Sequence, residues 1–126
     1  MELDLGSEKP IFQQIAEGIE DAILSGAFPE EGQIPSITEF SVQYKINPAT
    51  ALKGINLLVD QGLVYKKRGV GMFVAQGAAQ RLREKRKQGF YQHYVTGLVA
   101  EAKRLHIGKT ELLDLVEQGF AQEEEL

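Results

Sequence analysis

Between residues 41 and 75 the chain carries five cations, Lys45, Lys53, Lys66, Lys67 and Arg68, against the single acid Asp60. Three of them are consecutive and run straight into Gly69-Val70-Gly71. Ammonium and guanidinium groups pair with phosphate oxygens. A glycine turn beside them lets the main chain come close to whatever the cations hold. The surroundings are the opposite in sign: residues 1–40 hold nine acids and one base, Lys9, and the net charge is −4. A local basic face on an acidic body can track phosphates while the remainder weakens indiscriminate binding. A solvated patch of lysines is the other reading, and charge alone does not separate the two.

Other chemistries lack their residues. His93 and His106 are the only imidazoles, and neither has a second histidine or a carboxylate at metal-ligand spacing. With no cysteine there is neither a disulfide framework nor a thiolate site. Gly69-Val70-Gly71 lacks the Lys-Ser/Thr of a phosphate loop, and Ser7, Ser25, Ser36 and Ser41 have no nearby histidine in sequence. No catalytic, cofactor-binding or metal-ligating residue is therefore assigned, and an enzyme is not expected. No stretch of roughly eighteen apolar residues exists to span a membrane. The acidic N-terminus has no signal-peptide core, so a soluble cytoplasmic protein is expected.

Apolar content of 43% and charged content of 25% in 126 residues fit one small domain with an appendage. Pro10 suits a helix start, and Phe12, Ile15, Ile19, Ala22 and Ile23 recur at helical spacing until Ser25-Gly26. Residues 27–35, with Pro29, Gly32 and Pro35, read as a connector. Ser36-x-x-Glu39 spells a capping box opening a short helix with Ile37, Phe40 and Tyr44 inward. After a turn at Lys45-Ile46, Asn47 as cap and Pro48 as first residue open a third helix, ending near Asp60 with Gly62 as its left-handed stop. Its inner stripe is Ala51, Gly54, Ile55 and Leu58. The period then changes to that of strands at residues 63–67 and 72–75, joined by the glycine turn. Three helices followed by a hairpin make a winged helix-turn-helix within residues 1–76, so the fold class is mostly α.

Residues 77–126 read differently. Gln76 to Gln80 is a small, polar junction, and Leu82, Arg86, Phe90, Tyr94, Leu98 and Leu105 trace a long helix broken at Ile107-Gly108. A last helix from about Lys109 carries Leu112, Leu113, Val116 and Phe120, and Glu123-Glu124-Glu125 is expected to fray. Two helices cannot bury two apolar faces by themselves. They either dock on their own N-terminal domain or self-associate, most commonly as a two-fold dimer. Five cations in Arg81–Lys87 are too many for a helix docked along its length, which favours a dimer through Phe90, Tyr94, Leu98, Leu112, Leu113 and Val116. That basic run also suits phosphate, though a solvated helix face accounts for it.

The motifs at Pro10–Ile15, Ala22–Gly26, Ile34–Ser36, Asn47–Thr50, Gln61–Val64 and Arg68–Val74 resemble, in order, the amino-terminal domain of GntR-type bacterial transcription regulators. The short tail, with Leu82-Arg-Glu-Lys-Arg and Glu101-Ala-Lys-Arg-Leu followed by Glu111-Leu-Leu, looks like the YtrA subfamily. Its members carry two dimerisation helices where other subfamilies have a large effector domain. The resemblance implies a homodimeric repressor binding double-stranded DNA at a palindromic operator, with no obvious small-molecule pocket; any effector is unknown. Carried over by position, DNA contacts fall on Ser36 and Thr38 at the second helix, on Asn47, Ala49, Thr50 and Lys53 of the recognition helix, and on Arg68, Gly69 and Gly71 of the wing. In these roles Lys53 would reach a phosphate or a guanine edge, and the wing tip the adjacent minor groove.

Three positions depart from the family pattern. Thr38 stands where arginine is usual. Leu52, near the DNA-facing side, either meets a thymine methyl or extends the core with Ile55 and Val59, and the core reading is slightly favoured. His106 and Gly108 replace a glycine and a Ser/Thr cap. A winged helix can also dock proteins instead of DNA. Under that alternative the acidic segment and the tail are the working surfaces, and Lys66-Lys67-Arg68 at a glycine turn is left without a purpose.

Overall fold

A computed structural model of the chain describes residues 1–125, with side chains through residue 122. The chain forms two compact units, Met1–Lys85 and Arg86–Leu126. In the first, α1 (Ile11–Ser25) starts at Pro10, whose carbonyl accepts from the amides of Gln13 and Gln14, and stops at Gly26 in the left-handed region. Ile15, Ile19 and Ile23, four residues apart, are all buried against α3 (Pro48–Asp60), which contributes Ala51, Gly54, Ile55 and Leu58 as expected. The approach is close. A Cβ on Gly54 would lie 2.6 Å from the Phe12 carbonyl oxygen and 3.3 Å from Ile15 Cβ, so only glycine lets α1 lie against α3 here.

Helix α2 (Ile37–Tyr44) buries Phe40, with Ile37 and Tyr44 half-buried beside it. Lys45 ends it in the left-handed region (φ 55°), and Ser41 Oγ donates to the Ile46 carbonyl at 2.6 Å across the turn. Strands β2 (Val64–Lys67) and β3 (Gly71–Val74) form the expected hairpin. A third strand, β1 (Gln33–Ile34), lies within the segment read as a connector and pairs antiparallel with β3, giving the order β1-β3-β2. The register sets Ile34 opposite Met72 and Val64 opposite Val74, and these four side chains point into the core. Tyr65 and Phe73 stack on the other face with ring centroids 5.6 Å apart. The Tyr65 hydroxyl donates to the Glu31 carboxylate at 2.6 Å, and that hydrogen bond holds the phenol above its ordinary pKa.

Ala78 and Leu82, in the first turns of α4 (Ala78–Phe90), complete this core. Arg81 Nη2 donates to the Gly62 carbonyl at 2.6 Å and Lys85 Nζ to Gln61 Oε1 at 2.7 Å, so two of the five cations in that run hold α4 on the end of α3.

The second unit holds a π-helical turn (Tyr91–Val95), α5 (Thr96–Arg104) and α6 (Lys109–Glu125). The π turn was not expected. Phe90, Tyr94 and Leu98 recur every four residues, which overruns an α-helical turn by about 40° per step. The wider turn takes up part of that drift. The break falls earlier than expected, at Leu105 and His106. His106 occupies the left-handed position (φ 57°) usual for glycine, and the amide of Ile107 donates back to the Ala102 carbonyl at 2.8 Å. Helix α6 runs through Glu125, where fraying was expected. Among the described residues no helix is long and apolar enough to cross a membrane.

Candidate nucleic-acid interface

Two helix starts and one turn bring the site residues of the first unit into position. At α2 the capping box is formed in both directions: the Glu39 amide donates to Ser36 Oγ at 3.1 Å, and the Ser36 amide donates to Glu39 Oε1 at 3.2 Å. Thr38 follows in the first turn and is exposed. At α3, Asn47 Oδ1 accepts from the Ala49 amide at 2.8 Å, so this side chain is engaged as a cap before it meets any ligand. Ala49 is exposed and Thr50 half-buried.

Lys53 is held in place. Its Nζ lies 4.1 Å from the centroid of the Phe12 ring, a cation–π contact made available by the tight packing of α1 on α3 at Gly54. Leu52 is 37% exposed and lies outside the core cluster, which overturns its favoured reading as a core residue. The reason is angular. Ala51, Gly54, Ile55 and Leu58 fill the inward arc of α3, and Leu52 falls on the outward one.

The wing is a four-residue turn. The Val70 amide donates to the Lys67 carbonyl at 2.9 Å, with Gly69 at φ 76° and Gly71 at φ 148°. Gly69 has open space where a side chain would sit. A Cβ at Gly71 would collide with the Gln33 side-chain amide, whose nitrogen donates to the Val70 carbonyl at 3.1 Å. Gln33 thus braces the turn from β1. The charged ends of Lys45, Lys67 and Arg68 have no partner among the described residues, whereas Lys66 Nζ donates to Asn56 Oδ1 at 2.9 Å. Unpaired cations on a braced turn are available to an anion.

Of the residues assigned to self-association, Phe90 and Tyr94 lie with ring centroids 5.3 Å apart and planes tilted by 44°, and both are exposed. Leu98, Leu112 and Val116 line one apolar groove of about 300 Å³ with Ala102, Leu105 and Leu115, and Leu113 is exposed on another face of α6.

Residues 11–74 match the profile of the bacterial regulatory proteins of the gntR family. The chain belongs to the GntR family. It is therefore a DNA-binding transcriptional regulator of the winged helix-turn-helix class, not an enzyme. One relative of the chain is an uncharacterized HTH-type transcriptional regulator, YhcF of Bacillus subtilis. It is 29% identical over 114 residues, covering 90% of this chain and 93% of its own. The repressor YtrA of the same organism is 27% identical over 84 residues, covering 67% of this chain and 65% of its own. Other curated relatives are much longer, and the chain spans between 18% and 33% of them. Among solved structures, a putative GntR-family regulator from Bacteroides thetaiotaomicron is 34% identical with a TM-score of 0.69. That match covers 90% of this chain and 98% of the other.

Three residues of this GntR domain escape pattern reading: Phe12 under Lys53, Gln33 behind the wing and Asn56 beside Lys66. Phe12 sits at helical spacing and reads as core. Gln33 lies in a strand of two residues, too short to show alternation.

Proposed function

We propose that the protein is a cytoplasmic homodimeric repressor of the YtrA subfamily, binding a palindromic operator with one recognition helix per half-site. What carries the dimer is apolar surface: between Phe90 and Phe120, ten large apolar side chains are exposed, and Ala102 alone among the described residues of that unit is buried. So much exposed apolar area needs a cover, and a second copy supplies an identical one. Phe90, Tyr94, Leu98, Leu112, Leu113 and Val116 form its centre. The subfamily reading is supported by the match to the repressor YtrA, which covers 65% of that protein.

At each half-site Ser36, Thr38, Asn47, Ala49 and Thr50 present the starts of α2 and α3 to the duplex. Lys53 contacts phosphate from its seat on Phe12, and Arg68, Gly69 and Gly71 approach the neighbouring minor groove. Sedimentation velocity tests the assembly, with a mass of two chains expected. Titration against a palindrome and against an isolated half-site tests its use. A monomer at micromolar concentration, or equal affinity for the two DNAs, would refute the reading.

A further inference from the structure

The side of α3 opposite its core stripe carries Ala49, Leu52, Lys53 and Asn56. Two of these four are already engaged. Lys53 Nζ rests on the Phe12 ring at 4.1 Å, and Asn56 Oδ1 accepts from Lys66 at 2.9 Å. A bidentate contact to adenine needs the amide oxygen of an Asn or Gln free to accept, and a bidentate contact to guanine needs a guanidinium or ammonium aimed at N7 and O6. Along this face the ammonium is seated on a ring and the amide oxygen already accepts one hydrogen bond from Lys66. What remains unengaged is apolar: Ala49 and Leu52, three residues apart and therefore neighbours, with Leu52 37% exposed. Both lie in the N-terminal half of the helix, the part that comes nearest to base edges when such a helix enters a major groove.

We infer that Leu52, supported by Ala49, is a specificity-determining residue that reads the C5-methyl group of thymine. The major groove offers a single apolar feature, and it belongs to thymine. A leucine there gains by contact with that methyl and loses where it desolvates the exocyclic amine of cytosine or the N7 and O6 of guanine. The chain then selects A·T pairs within each half-site by apolar contact. Its cations hold the duplex through phosphate and contribute no base information. The inference rests on the reading above of α3 as the recognition helix of a half-site, here placed in the major groove.

The test begins with selection of bound sites from a random duplex pool by the full chain. Thymine is expected at one or more half-site positions. Replacing that thymine by deoxyuridine, which removes the methyl group and nothing else, should weaken wild-type binding about fourfold, the effect of one buried methyl group. For Leu52→Ala the same replacement should change nothing. Leu52 is exposed, so an unaltered melting temperature is expected and serves as the control on folding. Leu52→Arg should move the selected base toward guanine. Guanine selected by the wild type, or an equal deoxyuridine penalty in wild type and Leu52→Ala, overturns the assignment to Leu52 while leaving the docking of α3 intact. Failure to select any duplex overturns both.

Discussion

The two units of the chain use apolar residues in opposite ways. In Met1–Lys85, fifteen side chains from Ile15 to Leu82 close into one buried cluster, and no buried side-chain polar atom among the described residues lacks a partner. In the second unit the aromatic and aliphatic side chains mostly face outward. Burial against one's own chain makes a unit that folds alone. Apolar surface left uncovered makes one whose stability depends on concentration. In the proposed reading, recognition and assembly fall to separate stretches, and each should be breakable without the other.

The largest effect should come from cutting the chain after Lys85. Ala78 and Leu82 stay in place, so residues 1–85 should melt cooperatively and sediment as a monomer. Affinity for a palindromic site should fall by about 10²–10⁴, because the second half-site then binds from bulk solution. A truncated protein that remains dimeric would end the contrast between the units.

A pair of leucines sharpens it. Leu58 is fully buried, and Leu58→Ala should cost about 2–5 kcal/mol of unfolding free energy at any protein concentration. Leu113 is 53% exposed. Leu113→Ala should leave the melt of dilute protein unchanged and raise the dimer dissociation constant, measured by sedimentation equilibrium. If Leu113→Ala destabilised dilute and concentrated protein alike, the second unit would have to be closed by its own chain.

The same contrast sets how far the sequence could be read. Helix caps are local, so Ser36, Asn47 and the α3 stripe were legible: each needs only neighbours within four residues. The core position of Ile55 followed from period alone. Leu52 did not, because a leucine beside an apolar stripe reads as part of it until the crossing partner is known, and α1 covers only one arc of α3. Strand β1 and the Gln33 brace depend on pairing across about forty residues, which no local pattern records. In the second unit, four-residue spacing announced a helix but not the π turn that accommodates it. His106 in a glycine-like conformation carried no signal in its type. DNA contact positions, Lys53 and Arg68 among them, came from family resemblance; geometry adds only that Lys53 is seated on Phe12 and that Arg68 has no partner among the described residues.

Within the first unit the wing offers a smaller, purely electrostatic change. Arg68→Ala removes a guanidinium without a partner among the described residues, so the melting temperature should hold. The slope of log affinity against log salt should flatten by about one unit if one phosphate contact is lost. An unchanged slope would remove Arg68 from the interface.

The smallest effect is expected at Thr38, and its sign is the informative part. Thr38 lies in the first turn of α2, two residues after the Ser36 cap, and is exposed, while Phe40 takes the inward position. Thr38→Arg therefore disturbs no packing. It sets a bidentate donor where α2 meets the phosphate backbone in the proposed docking, beside a segment whose nine acids repel DNA. A cation near a helix N-terminus is unfavourable by about 0.3–1 kcal/mol, and Glu39 one residue on offsets part of that. Melting temperature should stay level or fall slightly as DNA affinity rises a few-fold at low salt, with a steeper salt dependence. A gain in DNA binding without a gain in stability would mark α2 as a working surface and not merely a support for α3. No change in affinity or slope on the selected site would mean that α2 stands clear of the phosphates, leaving recognition to α3 and the wing alone.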